Sequence, residues 1–121
     1  MGLFSLLKGK ANKRKCEVAD FVMSGHRHVQ VGRESLDLLR KTTNPRTFFG
    51  RYEDLVFSLR SLGQSTIEIE SDTFKSELQI EFIDRLVEAG KLGLLVSELE
   101  KYEAYMTEDS LDYLEWIAEQ N

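Results

Sequence analysis

Asn44 followed by Pro45, the chain's single proline, is the feature that most constrains the fold of this 121-residue sequence. A proline ring pushes the residue before it out of helical space. The ring also presets its own φ for a first helical turn, and the N–H it lacks would have had no partner there. The Asn44 side-chain oxygen can accept from the free N–H groups of that turn, so Thr42-Thr43-Asn44-Pro45 ends one helix and starts another. Phe48, Tyr52, Leu55, Val56, Leu59 and Leu62 then recur along one face, and Gly63 supplies the stop. A helix with that much apolar face needs other helices to cover it, which points to an all-α fold.

The flanking segments continue the pattern. Upstream, Val18, Val22, Val29, Leu36 and Leu39 fall at helical spacings, with Gly25 and Gly32 on the same stripe. An interior glycine costs roughly 1 kcal/mol relative to alanine. Together with the alternating His28-Val29-Gln30-Val31, this predicts a break near Ser24-Gly25-His26 rather than one helix to about Lys41. Downstream, residues 64–72 read as a linker with a brief strand at Ile67-Glu68-Ile69. A third helix follows with Leu78, Phe82, Ile83, Leu86 and Val87 inward and a Glu81–Arg85 pair on its flank, interrupted at Gly90 or Gly93. A fourth carries Leu95, Leu99, Tyr102 and Met106. Thr107 caps a last helix, whose first turn holds Glu108 and Asp109 and whose inner face is Leu111, Leu114, Ile117 and Ala118. The predicted architecture is a compact bundle of four to five helices over residues 16–121, a single domain preceded by a mobile basic arm at residues 1–15.

Charge is divided unevenly along the chain. Residues 1–60 carry a net +6 and residues 61–121 a net −11, within an overall −5. Such a split favours electrostatic steering of a partner. The basic excess is densest at Lys8, Lys10, Lys13, Arg14 and Lys15, candidates for contacting phosphates of nucleic acid or anionic lipid. Leu3, Phe4, Leu6 and Leu7 precede these cations, an order that also suits a short interfacial anchor. In a secretory signal the charges come first, and Leu6 stands where a myristoylation motif requires Ser or Thr. With one cysteine there is no internal disulfide, and the expected location is cytoplasmic.

Chemistry-bearing motifs are sparse. Cys16, His26 and His28 with Glu17 or Asp20 match no standard metal-ligand spacing, so no metal or cofactor is expected. The sequence holds no GxSxG, HExxH, P-loop or dinucleotide fingerprint, and the many carboxylates of the last helix suit a solvated face, so a non-enzymatic role is expected. Phe49 and Phe57 lie off the main stripe of the Pro45 helix. They either widen the buried face of a helix covered on two sides or form an exposed interaction patch.

The stretch Asn44-Pro45-Arg46-Thr47-Phe48-Phe49-Gly50-Arg51-Tyr52-Glu53 resembles an NPxTFFxRYD-like helix start found in small uncharacterised helical proteins of Gram-positive bacteria and their prophages. Phe82-Ile83-Asp84-Arg85 and Met106-Thr107-Glu108 look similar to later parts of the same proteins. The resemblance implies a bacterial or phage origin and an all-helical fold, and it carries no activity and no site residues. The functional expectation is a non-enzymatic protein-interaction module whose opposed fields permit self-association. The alternative is a peripheral binder of anionic membrane or nucleic acid through residues 1–15.

Overall fold

Asn44 Oδ1 accepts from the Thr47 N–H at 3.0 Å, and Asn44 itself is extended, with φ −106° and ψ 118°. The helix that this cap opens is therefore fixed at its first residue by side-chain chemistry alone. The computed structural model describes residues 22–120, with side chains from residue 28 onward, and among these residues the chain is helical and has no strand. In order they are α1 (Val22–Leu39), α2 (Pro45–Ser61), α3 (Asp72–Glu88), α4 (Leu92–Val96), α5 (Leu99–Tyr102), a 3₁₀ turn (Glu103–Tyr105) and α6 (Glu108–Gln120).

Two of these helices stop on glycine by the same device. Gly63 and Gly90 take φ of 73° and 68°, where a side chain would be strained. At α2 the N–H of Gln64 reaches Leu59 O and that of Gly63 reaches Arg60 O. At α3 the N–H of Lys91 reaches Leu86 O and that of Gly90 reaches Val87 O. Both ends thus satisfy the last carbonyls in a Schellman motif. The start of α3 is capped by Ser71, whose Oγ accepts from Phe74 N at 3.2 Å.

Four features differ from the sequence reading. First, α1 runs unbroken through Gly25 and Gly32. A glycine's helix penalty is small beside the packing of a whole helix face, and α1 lies along α2. A Cβ on Gly32 would sit 3.5 Å from Ser58 Cβ, so the two helices run close there. Second, residues 67–70 form a turn: Ile69 is buried and Ile67 is 83% exposed, an alternation produced without a strand partner. Third, the single fourth helix is two short helices and a 3₁₀ turn, none with a side-chain cap, although Leu95, Tyr102 and Met106 are buried as the stripe predicts. The six α-helices among the described residues exceed the predicted four to five for this reason. Fourth, Ala118 is exposed, leaving Leu114 as the buried apolar residue of α6 beside buried Ser110.

The core gathers where the long helices meet. Phe48 of α2 and Phe82 of α3 stack at 4.1 Å, and Leu39, Leu78, Ile83, Leu86 and Leu95 are buried in the same cluster. Burying each such side chain contributes about 1.5–3 kcal/mol. Arg85 does not close on Glu81 as an ion pair; its Nη2 and Nε donate to the carbonyls of Leu39 (2.6 Å) and Thr42 (3.2 Å). Its guanidinium also lies 5.6 Å from the Phe82 ring centroid. A cation from α3 thereby caps the C-terminal end of α1, where the helix dipole is negative.

Candidate functional site

Gln79 sits on the inner face of α3 and is buried, which obliges its amide to find partners within the protein. Its Nε2 donates to Tyr105 O at 3.0 Å, and its Oε1 accepts from Thr107 N at 3.0 Å and from the Ser110 hydroxyl at 2.6 Å. Thr107 Oγ1 accepts from Ser110 N at 3.2 Å, the N-cap that the sequence predicts for α6, and shares a 2.6 Å hydrogen bond with Ser76 of α3. These bonds fix the 3₁₀ turn against α3. They hold Tyr105, 55% exposed, at the mouth of a cleft of about 210 Å³.

Buried Phe49, Leu78 and Met106 give that cleft an apolar inner wall. Exposed Glu53, Asp72 and Ala104 stand at its edge beside Tyr105, with half-buried Lys75 the cation among the lining residues. Tyr52, also in the wall, donates its hydroxyl to Ile69 O at 2.6 Å. Burial, helped by the negative charge of Glu70 and opposed by Arg60, pushes the Tyr52 phenol far above its ordinary range. Glu70 is itself held below the ordinary carboxylate range by hydrogen bonds from Thr66 (2.6 Å) and Arg60 (2.7 Å). The Tyr52 hydroxyl and both ends of the Gln79 amide are thus taken up in holding the fold. What the cleft offers a guest is apolar surface with carboxylates at its edge. Its volume is below the roughly 300–1,000 Å³ of small-molecule pockets, so it suits one or two apolar side chains better than a cofactor.

The sequence candidates separate on inspection. Lys8, Lys10, Lys13, Arg14 and Lys15 lie outside the described residues, as do Cys16 and the side chain of His26. Phe49 is not exposed: it is 8% accessible, stacks on Tyr102 at 5.1 Å and meets Phe48 edge-on at the same distance. It belongs to the widened buried face, because α2 is covered by the Tyr102 segment as well as by α3. Phe57 is 63% exposed and touches the His28 ring of α1 edge-on at 5.7 Å. The two phenylalanines therefore form no common patch. Gln79 and Tyr105 were not candidates; the signal for Gln79 was an amide set among Leu78, Phe82 and Ile83 on an inward face.

Other exposed apolar groups are dispersed: Ile67, Leu94, Val96 and Trp116, the last 6.1 Å from the Tyr113 ring, whose hydroxyl donates to Asp84. Among the described residues no three His, Cys, Asp or Glu side chains gather as a metal-binding group, and no helix is long and apolar enough to cross a membrane. The chain matches no protein-family model, no curated protein and no solved structure in comparison.

Proposed function

We propose that this chain is a non-enzymatic protein-interaction module that receives an apolar side chain of its partner in the cleft between α2, α3 and the 3₁₀ turn. One observation carries the reading: the cleft is apolar within, and the Tyr52 and Gln79 polar groups in its wall are already engaged by Ile69, Tyr105, Thr107 and Ser110. Glu53, Asp72 and Lys75 are the charged groups left among the lining residues, the two carboxylates exposed at the edge where they suit the charged rim of a docking surface, and a docking site needs apolar surface held in a fixed shape. Exposed Tyr105 is the kind of aromatic anchor that interfaces favour.

The test compares three full-length variants whose altered residues are exposed, so that folding is spared. Tyr105→Ala removes the lip, Ala104→Trp fills the mouth, and Phe57→Ala alters the α1–α2 side. Quantitative capture from a bacterial lysate is expected to lose the same protein with the first two and to keep it with the third. Retention by all three, or loss with Phe57→Ala alone, sinks the cleft as the docking site.

A further inference from the structure

Resting on the cleft as the docking site, we infer that its resident occupant is the chain's own segment of residues 3–15, which a partner displaces. The segment and the site match in order. Leu3, Phe4, Leu6 and Leu7 come first and Lys8, Lys10, Lys13, Arg14 and Lys15 follow. The cleft presents buried Phe49, Leu78 and Met106 within, and two carboxylates, Glu53 and Asp72, against one cation, Lys75, among its lining residues; exposed Glu103 and Glu108 flank residues 104–107 in sequence and add to the negative side. A guest that buries leucine or phenylalanine inside and carries cations outside meets apolar wall with apolar side chain and carboxylate with ammonium. Four large apolar residues within five positions offer the one or two side chains the cleft can take, each gaining about 25 cal/mol per Å² covered.

Chain length permits the contact. Fourteen residues separate Leu7 from Val22, the first described residue of α1. Fully extended they span up to about 50 Å, against a radius of gyration near 13 Å for a domain of this size, roughly. Tethering decides between this chain's segment and that of a second copy. A linked segment meets its site at about millimolar effective concentration, so at lower protein concentrations the intramolecular contact wins. The module is then self-covered: a partner must bring a better apolar anchor, and raised salt, by weakening the cation–carboxylate pairs, makes displacement easier.

The experiment uses the full chain with a nitroxide on Ser5→Cys in a Cys16→Ser background, isotope-labelled for amide spectra. The amide signals of Ala104, Tyr105 and Thr107 are expected to vanish, to return when the nitroxide is reduced, and to be spared when Ala104→Trp fills the cleft. Unaffected signals at these residues overturn the inference. So does loss seen only when a spin-labelled chain is mixed with an isotope-labelled one, which assigns the cleft to a second copy. Signals that stay sharp while the chain binds phosphatidylserine vesicles through residues 1–15 overturn it in favour of a membrane surface. If Tyr105→Ala and Ala104→Trp lose a captured partner while the nitroxide leaves the cleft untouched, the docking site stands and only its resident occupant falls.

Discussion

The α1–α2 pair and the segment from Leu92 to Gln120 solve the same problem, burying polar groups between helices, in opposite ways. In the α1–α2 pair, Ser35 and Ser58 are buried with hydroxyls that meet no partner among the described residues. Shape holds that seam: small side chains and Gly32 let the helices run close. Against α3, by contrast, Ser76, Thr107, Ser110 and Gln79 are buried or half-buried and bond one another. An unmade buried hydrogen bond costs about as much as a made one is worth, or more, so the first region tolerates loss of its hydroxyls and the second does not. The difference explains where the cleft sits. Short helices without side-chain caps have no preferred position of their own; buried Leu95 and Tyr102 place α4 and α5, and the Gln79 amide pins the 3₁₀ turn that follows them.

Gln79→Leu strikes that contrast hardest. It removes one donor and two accepted bonds at once and is expected to destabilise by about 3 kcal/mol, read as a lower urea midpoint. It should also free the 3₁₀ turn, seen as faster amide exchange at Thr107; an unchanged midpoint would mean the amide does not organise this region. Arg85→Leu comes next. It leaves the Leu39 and Thr42 carbonyls without their donor and is expected to cost about 1–2 kcal/mol, with the fraying confined to the end of α1.

Acid gives a smaller effect with a defined sign. The folded Glu70 pKa lies below its ordinary value of 4.5, so its contribution is present above that pH and is lost as pH falls through the lower, folded value. Arg60 is well exposed and the Glu70 side chain is 36% exposed, which keeps the effect under about 1 kcal/mol. Glu81, raised chiefly by burial, works in the opposite sense over the range above 4.5. Glu70→Gln should flatten the acid limb of a stability–pH curve; a steeper limb would contradict the assignment. Smallest of all, Ser58→Ala is expected to be neutral or to stabilise by up to about 1 kcal/mol, because it deletes an unpaired buried hydroxyl. A clear loss of stability there would erase the distinction between the two regions.

What could be read from sequence was what is decided locally. Asn44, Thr107 and Gly63 act within their own turns, and each does in the structure what its neighbours in sequence suggest; of the two glycines offered as the stop of α3, it is Gly90 that takes it. The unbroken α1 could not be read so, because the packing that outweighs its glycines comes from α2, residues away in the chain. The division of residues 92–105 was hidden for the same reason: the apolar stripe is continuous, while Gln79, twenty-six residues before Tyr105, pins the chain where the stripe would run on. The cleft inherits that obscurity, since it exists only once α2, α3 and the turn are assembled. The helix start from Asn44 to Glu53 supplies the cap, part of the core and the Tyr52 hydrogen bond. It describes how this fold is built more than what binds to it.

The Arg85 clasp has a mechanical meaning. Along their seam α1 and α2 share shape, whereas at the far end of α1 two directional bonds tie the Leu39 and Thr42 carbonyls to another helix. Tension that draws the Val22 end of α1 away from α2 would peel the helix one turn after another, and among the described residues no side-chain hydrogen bond to another helix arrests it before Leu39. There the load passes through a single guanidinium into α3 and the Phe48–Phe82 stack, so the first half of the molecule unzips gradually and the second yields abruptly.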